Sequence, residues 1–370
     1  MSQFLIKLLL LLFITILFFS CSAKVNNETN DNSTTIKIGI LPDTQGRGDT
    51  ISAHPMRAVL DKLQSFDVDI VIPVGDLTNG ATIEEFEHWE TIAKEYHNQG
   101  IEFLPLMGNH ETAWGSNVEW VEFLKQFLPE DAIHMSGVEY GNYYVIRDNV
   151  LIILLKHGNL SPAFEWMKGV VESNKAETDH IIIASHDGLV GSKNGQTKSM
   201  ISSKGTDLLF DRWDEIRAFY AEHDIIWVQG HDHIYQRSQV SAPVWASPPE
   251  SWSRSDGNYR LQQYTQIISG SASYKGYNFR YGEREKVQDI IQMRINTMKN
   301  GSMVYDANAS VFTFNNSRID YESYVTTHTV RDNQDGPKEL INPEWILLDQ
   351  FSRTKNRCER IVYPSSIPKE

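Results

Sequence analysis

The chain has 370 residues, 41% of them hydrophobic and 11% aromatic, which is enough apolar material for one large folded domain or two small ones. Its formal net charge of -14 argues against a broad surface that neutralises nucleic-acid phosphates, so no nucleic-acid binding is expected. A small anionic substrate is compatible with this charge, because a bound metal ion reverses the local sign.

The N-terminal segment has the pattern of an export signal. Residues 8–19 are apolar apart from Thr15, a run too short to span a membrane comfortably but typical of a secretory signal. Ser20-Cys21-Ser22 follows and resembles the lipobox of bacterial lipoproteins, although Phe18 and Phe19 depart from it. We therefore expect a signal peptide over 1–20, a lipidated Cys21 with a flexible Asn-rich tether over 21–34, and anchoring to a membrane of the bacterial cell envelope, at the periplasm or cell surface. Ordinary signal cleavage nearby is the alternative.

Only Cys358 would remain as a free thiol after lipidation of Cys21. An intramolecular disulfide is then impossible, and cysteine ligation of a metal is nearly excluded.

Three strands separated by two helices follow, and each strand ends in a polar cluster. Strands are predicted over 36–41, 70–74 and 101–106. Between them, one predicted helix contains Met56, Val59, Leu60 and Leu63, and another runs over about 83–98. The clusters contain Asp43, Asp76 and Asn109, separated by 33 residues each time. That spacing is about one βαβ step. Because ligands bind at the carboxyl ends of strands in α/β sheets, we expect the three side chains to converge.

Two further strands end in histidines. A hairpin over 143–155 and a helix over 162–174 precede the strand 180–185, which leads into His186. A helix over 206–221 precedes the strand 225–229, which leads into Gly230-His231-Asp232-His233. Gly230 is expected to allow a sharp turn, with both histidines on an extended segment and directed to one point. The loop 191–205 is either a rim that faces the substrate or a solvated surface loop.

The remainder of the chain is predicted to be mostly antiparallel. Strands over 264–269, 303–305, 309–314 and 319–326 suggest a second sheet stacked on the first. The catalytic domain is predicted over 35–330, with 331–370 as a C-terminal extension packed on it. Trp245, Trp252, Arg254 and Tyr259 either recognise an organic part of the substrate or pack the sandwich.

The polar residues at strand ends form a ligand set without thiolate. Its members in chain order are Asp43, Asp76, Asn109, His186, His231 and His233. Carboxylate, amide and imidazole donors suit two ions of Fe, Zn or Mn, which about 3.5–4 Å apart would form a two-metal hydrolytic site. Asp76 is the candidate bridge. His110 would assist the leaving oxygen, with Glu111 or another carboxylate fixing its orientation. Singly, these residues are also explained as turns, helix caps or core histidines.

The same residues resemble the signature blocks of the calcineurin-like metallophosphoesterases, over about residues 36–275. The resemblance implies an α/β fold that is a four-layer α/β/β/α sandwich of two mixed sheets. It assigns Asp43, Asp76 and His233 to one metal, and Asp76, Asn109, His186 and His231 to the other, with His110 as the catalytic non-ligand.

Three departures from the family pattern stand out. Gln45 replaces the histidine of Asp-x-His and would be a weak ligand, and Glu111 replaces the usual Asp. Asn79 stands where purple acid phosphatases carry a tyrosine, so no tyrosinate-to-iron colour is expected.

The resulting hypothesis is a metal-dependent phosphoesterase that acts on a small phosphate mono- or diester through a hydroxide activated by two metals. The alternative is a catalytically degenerate lipoprotein of this fold that binds a ligand or serves as a scaffold, for which Gln45 is the supporting feature.

Overall fold

The computed structural model describes residues 35–46, 51–114, 117–189, 207–241, 263–273, 291–296, 304–329 and 344–354. The predicted signal peptide, Cys21, the tether, the loop 191–205 and the aromatic rim at Trp245, Trp252, Arg254 and Tyr259 lie outside these residues. Within them, no helix is long and apolar enough to cross a membrane.

The first sheet has six described strands in the order β14-β13-β12-β1-β2-β3. Their bounds are β1 Thr35–Leu41, β2 Ile70–Pro73, β3 Glu102–Phe103, β12 Val304–Asn315, β13 Arg318–Thr329 and β14 Ile346–Thr354. The pairs β1–β2 and β2–β3 are parallel, and the other pairs are antiparallel. The carboxyl ends of β1, β2 and β3 therefore lie side by side at one edge of the first sheet, as predicted.

The second sheet has eight described strands in the order β11-β9-β10-β8-β7-β6-β5-β4. Their bounds are β4 Ile133–His134, β5 Tyr143–Arg147, β6 Val150–Leu155, β7 His180–Ser185, β8 Ile226–Gln229, β9 Tyr235–Ser241, β10 Gln263–Ser269 and β11 Ile291–Asn296. The central strands β6, β7, β8 and β10 are parallel, and antiparallel strands flank them. Both sheets are therefore mixed.

Helices cover the outer faces of the sheets. They are α1 Ala53–Gln64, α2 Ile83–His97, α3 Asn109–Trp114, α4 Asn117–Leu124, α5 Leu160–Asn174 and α6 Asp207–Glu222. Strand β6 shows the layering, because successive side chains of a strand point to opposite faces. Ile152 belongs to the core shared with the first sheet, whereas Ile153 belongs to the core under α5 and α6. The predicted α/β fold with four α/β/β/α layers is confirmed.

The prediction that the strands after residue 303 form the second sheet is wrong. Strand β12 is continuous over Val304–Asn315 and pairs antiparallel with β1, so it extends the first sheet. The described residues of the two strands predicted over 303–305 and 309–314 are parts of β12. The second sheet is instead built from the middle of the chain, between β4 and β11. The sequence pattern of each segment predicted a strand, but such a pattern does not specify which sheet the strand joins.

A capping box fixes the loop that follows β2. The hydroxyl of Thr82 accepts the N–H of Glu85, and the Glu85 carboxylate accepts the N–H of Thr82 in return. The same carboxylate also accepts the N–H groups of Asn79 and Gly80. The start of α2 therefore holds the loop that carries Asp76 and Asn79 in one conformation.

A buried ion pair joins the two sheets away from the polar strand ends. Arg237 of β9 donates two hydrogen bonds of 2.7 and 2.9 Å to Asp349 of β14, and the hydroxyl of Tyr235 donates a third of 2.6 Å. All three side chains are buried. Breaking such a pair by removal of one partner leaves an uncompensated charge in the interior.

Candidate metal centre

Two groups of potential ligand atoms meet where the strand ends of both sheets face each other. The first cluster contains Asp43, Asp76 and His233, and the second contains Asp76, His186 and His231. Within each cluster the ligand atoms lie within 4.8 Å of one another. Asp76 belongs to both. The two clusters therefore bring together side chains from four strand ends, with one carboxylate in the middle.

Asn109 completes the second cluster. Its Oδ1 lies 3.0 Å from His186 Nε2 and 2.8 Å from His231 Nδ1. The other nitrogen of His186, Nδ1, lies 2.8 Å from the carbonyl oxygen of Val74. That hydrogen bond fixes the tautomer and leaves Nε2 directed at Asn109 and Asp76, an arrangement typical of metal-binding histidines.

The buried charges of the centre shift the pKa values of its side chains in different directions. Burial raises the pKa of Asp43 to about 7, and the neighbouring Asp76 adds to this rise. Burial alone would lower the pKa of His186, but Asp76 and Asp43 raise it to about 10. Burial acts to raise the pKa of Asp76, yet His186 lowers it below its usual range. The charges of Asp43, Asp76 and His186 therefore depend strongly on one another.

The backbone around the histidine pair differs from the extended segment expected there. His231 and His233 both have positive φ angles, 70° and 52°, as does Asp76 at 49°. Gly230 is required for space and not for a positive φ, since a Cβ there would lie 2.4 Å from Asp43 Oδ2. The N–H of His231 donates to both carboxylate oxygens of Asp43 at 3.0 Å. The two imidazoles consequently enter different clusters and do not converge on one point.

Glu111 does not orient the His110 ring as predicted. Its carboxylate accepts the N–H groups of Asp76, Thr78 and Gly108 at 2.8–3.0 Å, together with the Thr78 hydroxyl at 2.8 Å. Burial, followed by the charge of Asp76, raises the pKa of Glu111 to about 7. The sequence placed Glu111 beside His110, but the α-helical turn directs the two side chains apart. Glu111 fixes the backbone of both ligand-bearing loops.

His110 lies at the edge of the centre and outside both clusters. Its backbone N–H donates to Asp76 Oδ1 at 2.9 Å, and its ring Nδ1 is hydrogen-bonded to the carbonyl oxygen of Asn79. The remaining nitrogen, Nε2, lies 3.9 Å from Asp76 Oδ2, and the side chain is 20% exposed. The imidazole is therefore held in place from the buried side and reaches solvent beside the shared carboxylate.

Gln45 lies next to the first cluster. Its Nε2 is 3.1 Å from His233 Nε2, and its Oε1 is buried without a hydrogen-bond partner. An orphaned buried oxygen beside carboxylates and an imidazole is unfavourable in a protein interior, and a cation would satisfy it. The donor set of oxygen and imidazole nitrogen atoms fits metal ions at both clusters.

Comparison with known proteins agrees with this geometry. The profile of the family described as "Calcineurin-like phosphoesterase" matches residues 36–235, which include Asp43, Asp76, Asn109 and both histidine-bearing strand ends. The chain belongs to the calcineurin-like phosphoesterase family. No curated protein matches it in sequence.

Two solved structures share the fold of this phosphoesterase-family chain. A purple acid phosphatase from yellow lupin (Lupinus luteus) seeds is 13% identical and has a TM-score of 0.52. The match covers 87% of this chain and 54% of the lupin protein, so the chain spans about half of its length. The structure of PhoD is 9% identical with a TM-score of 0.54, covering 91% of this chain and 73% of PhoD. At these identities the likeness concerns the fold.

One imidazole beside the centre was missed in the sequence. His157 follows β6 as His186 follows β7, and its ring centroid lies 5.8 Å from that of His186 and 6.0 Å from that of His231. Its Nδ1 is 3.5 Å from Oδ2 of the buried Asp187, and its side chain is 15% exposed. The rule that polar residues at parallel strand ends converge would have found His157. His157 was missed because it belongs to none of the short ligand motifs in the sequence.

Proposed function

We propose that this member of the family is a metal-dependent phosphoesterase that hydrolyses small phosphate mono- or diesters. The observation that supports this most is the position of Asp76, which contributes to both ligand clusters. Two ions bound in these clusters would activate a water molecule at neutral pH and neutralise the charge on the phosphoryl oxygens.

Different side chains would hold the two ions and fix the loops that carry the ligands. Asp43 and His233 would hold one ion, Asn109, His186 and His231 the other, and Asp76 both. The loops are already fixed by Glu111 and by the hydrogen bond of His186 to Val74, so the ligands need little rearrangement. Such preorganisation is what a catalytic electrostatic site requires.

His110 would protonate the oxygen of the leaving alcohol. The carbonyl of Asn79 holds Nδ1–H, and Nε2 is directed past Asp76 toward solvent, where a substrate would enter. A positioned acid of this kind typically contributes about 10²–10⁴-fold in rate.

The decisive experiment combines metal analysis with hydrolysis assays on para-nitrophenyl phosphate and its bis ester. We expect the wild type to contain about two ions of Fe, Zn or Mn per chain, and removal by a chelator to abolish hydrolysis reversibly. His110→Ala should keep its metal and lose roughly 10²–10⁴-fold in kcat.

His97→Ala is a matched control, because His97 lies in α2 and is hydrogen-bonded to the carbonyl of Ile101. It should keep wild-type activity. A wild type that binds metal but hydrolyses neither ester would favour the binding or scaffold protein instead.

We also propose that the protein is exported and anchored to a membrane of the bacterial cell envelope through lipidation of Cys21. This rests on the apolar run over 8–19 that ends just before that cysteine. In a bacterial host, Cys21→Ser should abolish labelling with a fatty acid and release the protein from the membrane fraction. Cys358→Ser is the matched control and should change neither. Labelling that survives Cys21→Ser would contradict the anchor.

A further inference from the structure

The two clusters differ in their donor chemistry. In the second cluster, the imidazoles of His186 and His231 are matched by oxygens of Asp76 and Asn109. In the first, His233 is the one imidazole among the carboxylates of Asp43 and Asp76, with the amide of Gln45 beside it.

The backbone of Gln45 is fixed on three sides. Its carbonyl accepts the hydroxyl groups of Ser52 and Ser273 at 2.8 and 2.5 Å, and its N–H donates to the carbonyl of Asp76 at 3.0 Å. The residue is 1% exposed. The side chain therefore stays at the first cluster, and rotation of the amide about its own axis is the simplest adjustment open to it.

Only one of the two polar atoms of the Gln45 side-chain amide has a hydrogen-bond partner in the present orientation. Nε2 lies 3.1 Å from His233 Nε2, while Oε1 is buried without a partner. Amide oxygen and nitrogen are interchangeable by a rotation of about 180°. The rotated amide would place its oxygen about 3 Å from His233 Nε2. Two atoms that each lie about 2.0–2.2 Å from one ion, at a right angle, have roughly this separation.

We propose that Gln45 Oε1 is a ligand of the first cluster and makes that cluster oxygen-dominated. The first cluster then holds Zn²⁺ more weakly than the second, exchanges its ion readily and accepts a hard ion such as Mn²⁺, whereas the second retains Zn²⁺ or Fe. The physical reason is that imidazole favours Zn and Fe, while carboxylate and carbonyl oxygens suit Mn and Mg. This inference rests on the proposed function, because it requires that both clusters bind ions.

The test measures bound metal and not activity. Full-length protein is stripped with a strong chelator, incubated with equal concentrations of Zn²⁺ and Mn²⁺, passed over a weak chelating resin, and analysed for metal per chain. The wild type should retain about one Zn²⁺, lose the second ion to the resin, and rebind a second ion when Mn²⁺ or Zn²⁺ is added back. Gln45→His, which restores an imidazole, should retain about two Zn²⁺ and bind the second about tenfold or more tightly in a calorimetric titration.

Two further variants keep the inference falsifiable. Gln45→Met removes the oxygen at similar size and should weaken Mn²⁺ binding to the first cluster by about tenfold or more. Gln99→His adds an imidazole at an exposed position of the turn after α2 and should bind metal as the wild type does. Circular dichroism of each stripped variant establishes that it is folded before loading.

Equal retention of two Zn²⁺ by the wild type and Gln45→His would overturn the inference, as would unchanged Mn²⁺ affinity in Gln45→Met. Absence of bound metal from every variant and from the wild type would overturn the proposed function itself, and the two failures are therefore distinguishable.

Discussion

The two sheets contribute different chemistry to the same centre. The first sheet supplies oxygen donors, from Asp43, Asp76 and Asn109 at the ends of β1, β2 and β3. The second supplies imidazoles, from His186 after β7 and from the segment after β8 that carries His231 and His233. Neither sheet holds a complete ligand set. The centre therefore depends on the packing of one sheet against the other, and bound ions would stabilise that packing by mass action.

The largest effect is expected from removing the negative charge of the Asp76 carboxylate, which belongs to both clusters. Asp76→Asn preserves size and tolerates the positive φ, but it takes the bridging carboxylate from both clusters. We expect roughly a thousandfold or greater loss of kcat/KM and a fall from about two bound ions to one or fewer.

Asp67→Asn is a close control for this substitution, since Asp67 has a similar φ of 54° in an exposed turn before β2. It should leave both readouts unchanged. Full metal content in Asp76→Asn would contradict the shared role of the carboxylate.

A second comparison concerns the buried ion pair of Arg237 and Asp349, which also joins the sheets. Asp349→Ala leaves the buried guanidinium of Arg237 without a counter-ion, so the free energy of unfolding should fall by about 3–5 kcal/mol. Asp320→Ala breaks an exposed ion pair with Arg318 and should cost less than about 1 kcal/mol. Denaturant titration measures both. If the two variants were equally stable, Arg237 and Asp349 would not be the interior link described above.

A smaller effect is expected at His157. His157→Ala should lower kcat/KM by about tenfold while leaving the ion content unchanged, because the imidazole borders the second cluster without belonging to it. His157→Asn, which keeps a polar donor, should recover part of the loss. A loss of bound metal in His157→Ala would show that the residue acts on the ligands and not on the substrate.

A last prediction concerns the pH dependence of the stability of the metal-free protein. Asp43 and Glu111 have pKa values raised to about 7, so the folded chain binds protons that the unfolded chain has lost above about pH 4. Stability should therefore fall as the pH rises from about 4 through 7. His186 acts in the same direction above about pH 6.5, because its pKa is raised to about 10.

Thermal unfolding of the chelated protein at pH 5.5, 6.5 and 7.5 measures this trend. Saturating metal should flatten it, since a cation replaces the protons. A metal-free protein that gains stability over this range would contradict the protonation of the buried carboxyls.

Much of the centre could be predicted because it follows from local pattern. Short apolar strands at regular spacing predicted that Asp43, Asp76 and Asn109 would be neighbours, and parallel pairing of β1, β2 and β3 brings this about. The positive φ angles of His231 and His233 could not be predicted. The N–H of His231 is held by hydrogen bonds to Asp43, which is distant in sequence.

Long-range pairing was the other obstacle. Antiparallel strands read alike in either sheet, so nothing in the pattern of β12 specified β1 as its neighbour. The role of Glu111 was missed for a similar reason, because its partners are backbone N–H groups, which carry no side-chain signature.

The pairing of β1 with β12 has a consequence for synthesis of the chain. β1 is among the first described elements to be translated, yet its antiparallel neighbour comes from near the other end. At a translation rate of about 5–20 residues per second, this edge of β1 stays unpaired for on the order of tens of seconds before β12 is synthesised. An apolar unpaired edge is a template for aggregation. The yield of folded protein should therefore depend on slower translation, lower temperature or a holding chaperone more strongly than the native stability of the protein would suggest.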